Sequence, residues 1–107
     1  TNFHSEKDVL KVGDLELDVS KRLVKRADKE INLSTKEFDL LEYMMRNSEI
    51  ILSREKIENY IWSYDYEGGT NLIDVYISYL RKKIDDGYEE KMIKTVRGVG
   101  YVLRAKA

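Results

Sequence analysis

The chain has 107 residues, with 19 Lys or Arg against 20 Asp or Glu and a formal net charge of -1, enough for one domain with its own core and too short for two. It contains no cysteine and a single histidine, His4, which excludes disulfides, thiolate metal centres and cysteine nucleophiles and leaves zinc sites and imidazole triads without their usual parts. No apolar run approaches the roughly 20 residues that span a bilayer.

Residues 1 to 8 are polar and aperiodic, the pattern of an interdomain linker or a frayed terminus. The polar start is not a signal peptide, and the missing initiating Met is expected of a piece of a longer chain or of a processed one, in a soluble cytoplasmic protein. Residues 9 to 107 read as one domain. Four short strands are expected at Val9 to Val12, Leu15 to Val19, Arg22 to Lys25 and Glu30 to Leu33. They are parted by Gly13-Asp14, Ser20-Lys21 and Ala27-Asp28-Lys29, small or polar residues that suit turns. Leu15, Leu17 and Val19 alternate with Glu16 and Asp18, which buries one face and wets the other. A four-stranded antiparallel meander is the simple reading.

Ser34 followed by Glu37 is a capping-box pattern, and Phe38, Leu41 and Met45 with Leu40 and Met44 trace the apolar face of a first helix ending near Asn47-Ser48. Ile50-Ile51-Leu52 is long enough only for a brief strand, and Ser53 can cap a second helix holding Ile57, Tyr60, Ile61 and Trp62. Tyr43 and Tyr60 are expected in the core. The stretch Ser63-Tyr64-Asp65-Tyr66-Glu67-Gly68-Gly69 breaks the periodicity and reads as an exposed loop, whose two tyrosines either fold back onto the domain or wait for a partner.

From Thr70 or Asn71, either of which can cap, Ile73, Ile77, Leu80 and Ile84 space a third amphipathic helix running to about Asp86-Gly87. Its opposite stripe is Asn71, Val75, Ser78 and Lys82, flanked by Tyr79 on one side and by Asp74, Arg81 and Asp85 on the other. The acids Glu55, Glu58, Asp65, Glu67, Asp85, Asp86, Glu89 and Glu90 read as a solubilising surface, since no histidine or glycine-loop spacing supports a metal or general-acid role.

The chain closes with a hairpin, Lys91 to Val96 pairing with Tyr101 to Arg104. Val96, Val99, Tyr101 and Val102 favour a pleated surface, Gly98 and Gly100 permit the positive backbone angles of a tight turn, and Arg97 is held out in solvent at the tip. Residues 70 to 107 hold eight Lys or Arg against five Asp or Glu, and from residue 91 onward Lys91, Lys94, Arg97, Arg104 and Lys106 meet no acid at all. A whole-chain pI of 5.9 argues weakly against a nucleic-acid partner, but phosphate contacts are made by one face, so local clustering matters more than the total. Two helices joined by a loop, the second presenting small, polar and cationic groups, then a basic hairpin, make an α+β winged helix-turn-helix. A major groove about 12 Å wide admits one helix, and an Arg at a narrow tip suits the adjacent minor groove.

The segments Leu33-Ser34-Thr35-Lys36-Glu37-Phe38-Asp39-Leu40-Leu41, Ser53-Arg54-Glu55 with Ile61-Trp62, Asp74-Val75-Tyr76-Ile77-Ser78-Tyr79-Leu80-Arg81-Lys82-Lys83 and Thr95-Val96-Arg97-Gly98-Val99-Gly100-Tyr101 resemble, in order and spacing, the DNA-binding effector domain of OmpR/PhoB-type response regulators. The resemblance implies a four-stranded N-terminal sheet, three helices and a C-terminal wing, with the third helix reading the major groove of double-stranded DNA. It implies that Asn71, Val75, Ser78, Tyr79 and Lys82 face the groove, that Thr70, Arg81, Lys83 and Thr95 are placed for phosphates, and that Arg97 is the wing arginine. Trp62 matches an aromatic that the family packs beside the DNA backbone, and Ser63, Tyr64, Asp65, Tyr66, Glu67, Gly68 and Gly69 match the loop that touches RNA polymerase.

The same resemblance implies an N-terminal receiver domain phosphorylated through a sensor histidine kinase, a dimer on direct-repeat promoter sites, and no cofactor, metal, membrane partner or enzymatic activity. One departure stands out. Several relatives carry Arg at one or both positions corresponding to Ser78 and Tyr79, and here neither is basic. Bidentate recognition of guanine is closed to those two positions, so Asn71 toward adenine and Val75 toward a thymine methyl gain weight. A protein-interaction module is the alternative from another class. Salt dependence separates the two, because only a DNA reader releases condensed counterions.

Overall fold

The computed structural model describes residues 9–62, 71–88 and 90–104, with the side chains of Trp62, Asn71 and Leu72 outside the description. The expectations for residues 1 to 8, for the loop from Ser63 to Gly69, for Thr70 and for Lys106 therefore lie outside the described residues.

The alternation of apolar and charged residues builds an antiparallel sheet in the order β1 (Val9–Val12), β2 (Leu15–Asp18), β3 (Leu23–Arg26), β4 (Lys29–Ile31). Its registers align Leu10, Leu17, Val24 and Ile31 in one row against the core, while Lys11, Glu16, Lys25 and Glu30 form a row of alternating charge on the other face. β3 reaches one residue further than the spacing suggests, and β4 starts one residue earlier. The cause is the turn: Ala27 and Asp28 take φ of 53° and 69°, a two-residue reversal that lets Arg26 pair with Lys29. Strand alternation then turns the Arg26 side chain inward.

Helix α1 (Thr35–Arg46) begins on the expected capping box, with the Glu37 N–H donating to Ser34 Oγ and the Ser34 N–H donating to Glu37 Oε1. Its apolar face, Phe38, Leu40, Leu41, Met44 and Met45, enters the core. A two-residue strand, β5 (Leu52–Ser53), leads into α2 (Arg54–Trp62), whose first turn is capped as the Lys56 N–H donates to Ser53 Oγ at 3.1 Å. Ile50 and Ile51, expected in that strand, are exposed.

Helix α3 (Asn71–Leu80) continues directly into a π-helical turn, Arg81–Asp85. Strands β6 (Ile93–Val96) and β7 (Gly100–Leu103) form the hairpin, and β5 pairs with β7 to make a three-stranded sheet in the order β5-β7-β6. Ile57, Ile73, Ile77, Leu80, Ile84, Met92 and Leu103 join the sheet-facing residues in one core.

Three further expectations change. Tyr60 is exposed, its ring stacked at 4.1 Å on that of Tyr43, which is half-buried against the core. Gly100 does not have a positive φ; it is needed because a Cβ there would sit 2.0 Å from the Leu52 carbonyl oxygen where β5 meets β7. Asp85 is not a surface acid. It is 3% exposed and faces Arg26, itself 2% exposed.

The Arg26 guanidinium joins three parts of the chain. Nη1 donates to Asp85 Oδ1 at 3.0 Å and to the Ile84 carbonyl at 2.5 Å, Nη2 donates to the Glu90 carbonyl at 2.6 Å, and Nε reaches Asp14 Oδ1 at 3.1 Å. The Tyr88 ring lies 4.2 Å from its central carbon. The Asp85 carboxylate in turn accepts the N–H groups of Met92 and Ile93. Both buried charges are thus paired and hydrogen-bonded, the condition under which such groups are tolerated.

Gly100→Ala should destabilise the domain by about 3 kcal/mol, because backbone rather than a flexible side chain must yield; denaturant melts of the two proteins measure it. Glu37 supplies a pH test. Burial works against its charge, but the Lys83 ammonium at 2.7 Å and the Ser34 cap outweigh burial and hold the carboxyl below its ordinary 4.5. Its contribution is therefore present above the unfolded value and lost as pH falls through the folded one. Melts between about pH 6 and about pH 3 should show a smaller acid-dependent loss in Glu37→Gln than in the parent.

Candidate nucleic-acid interface

Helix α3 buries Ile73, Ile77 and Leu80 on one side and presents Val75, Ser78 and Tyr79 on the other, with Lys82 exposed in the π-helical turn that follows. Val75 is 37% exposed and Tyr79 46%, both high for apolar or aromatic residues on a helix that has a core to enter. The Tyr79 ring meets Tyr76 edge-on with centroids 5.8 Å apart, which limits how far it can swing. Asn71 stands in the first turn of α3, with its side chain outside the described residues.

At the wing, the Val99 N–H donates to the Val96 carbonyl at 2.9 Å and Gly98 takes φ of 77°, so the turn is closed and narrow. Arg97 and Val99 are exposed at its tip. Arg54, the first residue of α2, lines a recess with Thr95, Val96, Arg97, Gly98, Val99 and Gly100. Sequence reasoning did not single out Arg54 as a contact. Its only signals were a cation directly after a capping serine and its place in one of the family segments.

A polar network sets the distance between helix and wing. The Tyr101 hydroxyl donates to the Asp74 carboxylate, and Arg54 donates to both oxygens of the same carboxylate at 3.1 and 3.2 Å. The Arg54 and Arg81 guanidinium carbons lie 5.9 and 5.8 Å from the Tyr101 ring centroid. Arg81 Nη2 then donates to Thr95 Oγ1 at 2.5 Å and to the Ile93 carbonyl at 3.3 Å. Burial pushes the Tyr101 hydroxyl above its ordinary value and its bond to Asp74 adds to this, while Arg54 works the other way; the net effect keeps the phenol protonated and donating.

The expected residues divide accordingly. Val75, Ser78 and Tyr79 share one open face of α3, with Lys82 exposed in the turn that continues it; Arg81 and Thr95 touch each other; Arg97 is exposed at the tip beside Val99. The Lys83 ammonium pairs with Glu37 at the start of α1 while its side chain stays 40% exposed. Asp85, expected to flank the stripe, is turned into the core by Arg26.

The family model described as "Transcriptional regulatory protein, C terminal" matches residues 28–103. The transcriptional regulatory protein TrcR of Mycobacterium tuberculosis is 53% identical over 97 residues, covering 91% of this chain and 37% of TrcR. The chain thus spans well under half of this relative's length. Among solved structures, response regulator DrrB of Thermotoga maritima, an OmpR/PhoB homolog, superposes with a TM-score of 0.81 at 31% identity over 91% of this chain and 44% of DrrB. The DNA-binding domain of Klebsiella pneumoniae RstA, solved in complex with the RstA box, does so with a TM-score of 0.79 at 33% identity over 91% of this chain and 97% of that one. With its four-stranded sheet, three helices and wing, the chain belongs to the family of C-terminal DNA-binding domains of OmpR/PhoB-type transcriptional regulatory proteins.

Proposed function

We propose that this domain binds double-stranded DNA sequence-specifically as the output module of a two-component response regulator, with α3 in the major groove and the wing on the adjacent minor groove or backbone. The observation that carries the reading is the joint placement of two exposed elements. The stripe Val75, Ser78, Tyr79 and Lys82 and the Arg97 tip belong to segments tied together by Arg81–Thr95 and Tyr101–Asp74. A helix and a hairpin at a fixed spacing suit a rigid duplex better than a deformable partner.

In this reading Val75 meets a thymine methyl, Asn71 reads adenine, and Arg54 and Arg81 neutralise phosphates from the rim. Thr70 and Thr95 add hydroxyl contacts to the backbone. The loop Ser63 to Gly69 contacts RNA polymerase, a receiver domain precedes residue 9 through a linker, and a sensor kinase acts upstream; the family resemblance alone supports these. Two copies on direct repeats and a cytoplasmic location go with the same reading. Among the described residues, no helix is long and apolar enough to cross a membrane.

Selection of bound sequences from a random DNA pool, followed by anisotropy titrations across a salt series, tests the proposal. The parent should enrich a defined site and lose affinity steeply with salt, whereas no enrichment would turn the reading toward a protein partner. Arg97→Ala should weaken binding to every sequence about tenfold, most where the wing meets an A·T-rich minor groove, and reduce the salt slope by about 1. Unaltered affinity would remove the wing from the mechanism. Asn71→Ala should relax preference at one base position by about 1–3 kcal/mol, and an unchanged preference at every position would exclude Asn71 from base readout.

A further inference from the structure

We propose that Arg26, a residue of the N-terminal sheet with no exposed surface to offer DNA, is a positioning residue for recognition: it sets the π-helical turn at the end of α3 and with it the direction in which Arg81 and Lys82 face. The inference rests on the reading of α3 as the DNA-facing helix.

An α-helix closes each N–H on the carbonyl four residues back, whereas here the Asp86 N–H reaches the Arg81 carbonyl, five back, at 3.0 Å. A widened turn leaves the last carbonyls in need of donors. The Ile84 carbonyl takes Arg26 Nη1, and the Asp85 carbonyl takes Lys91 Nζ at 3.0 Å. Both donors are cations, which the negative end of the helix dipole favours.

The side chain of Asp85 is drawn into the core in the same movement. There it pairs with Arg26 and accepts the N–H groups of Met92 and Ile93, which lead into β6. One guanidinium thus fixes both the end of α3 and the start of the wing. Arg81 and Lys82 are the first two residues of the widened turn, and residues in a π turn advance less about the axis than those in an α turn. Arg81 meets Thr95 on β6 and Lys82 points to solvent only while this register holds.

Arginine is required by geometry rather than by charge. Its planar fork serves Asp14, Asp85 and the carbonyls of Ile84 and Glu90 at once. A lysine ammonium has three donors at a single point and cannot span them. Arg26→Lys therefore keeps the charge and removes the register.

The test compares the parent domain and Arg26→Lys, with folded fraction followed by circular dichroism and dissociation constants measured on the selected duplex across a salt series. After correction for folded fraction, Arg26→Lys should bind about tenfold more weakly with a salt slope lower by about 1, as Arg81 leaves its phosphate and Lys82 its place in the groove. A purely structural role would change the folded fraction and leave the slope alone. Equal slope and equal corrected affinity would overturn the proposal. If Arg26→Lys does not fold, Asp14→Asn, which removes only the half-exposed limb of the network, carries the same test with a smaller slope change. Absence of salt-dependent binding by the parent, seen before any substitution, would overturn the functional reading itself.

Discussion

The buried pair of Arg26 and Asp85 is the constraint on which the two halves of the domain depend. β3 belongs to the N-terminal sheet, Asp85 ends the helix that faces outward, and Met92 and Ile93 begin the wing; a strand far away in sequence meets the end of α3 and the start of the wing at one guanidinium and one carboxylate. Removing two charges from water costs several kcal/mol each, and their attraction offsets this only when the remaining donors and acceptors are also satisfied. The Ile84 and Glu90 carbonyls, Asp14 and the two N–H groups supply that satisfaction. An apolar pair of equal volume could hold the sheet to the helix, but it could not choose which carbonyls and amides meet there. The contribution of this pair is register more than adhesion.

A second polar network works at the other end of α3 by a different logic. Asp74 is an acid on the surface where a polyanion is proposed to bind, which alone would repel. It is engaged by Arg54 and by the Tyr101 hydroxyl, and a further cation, Arg81, lies over the Tyr101 ring. The acid thereby acts as an internal strut, orienting cations that stand near the wing. This also explains how a chain of formal net charge -1 can present a basic face. The N-terminal sheet carries Lys11, Glu16, Lys25 and Glu30 as a row of alternating sign, while cations of the C-terminal part are gathered by tertiary contacts.

Periodicity made the elements legible. Ser34 and Glu37 announced α1, Ile73, Ile77, Leu80 and Ile84 announced the buried side of α3, and the Val-Arg-Gly-Val-Gly run announced the wing, because each depends on neighbours within a few residues. The open face of α3 followed as the complement of its buried one. Tyr60 was misplaced because an aromatic with a polar end can satisfy itself by stacking at a surface, which composition does not distinguish from burial.

Local spacing settled which segments are helix, strand and turn and which cation stands at the hairpin tip, since hydrophobic period and glycine geometry act over short range. Long-range pairing had to settle the rest: Arg26 lies 59 residues from Asp85, and Lys83 lies 46 from Glu37. A charged residue in a strand or at a helix end looks like solvated surface until the fold brings an opposite charge to it. Asp85 reads as a surface acid in the chain and is a buried acceptor in the domain; the pairing of Lys83 with Glu37 at the start of α1 is likewise absent from any local pattern. Gly100 shows the same division, since its turn-like context hides a close approach to Leu52 that exists only once β5 has paired with β7.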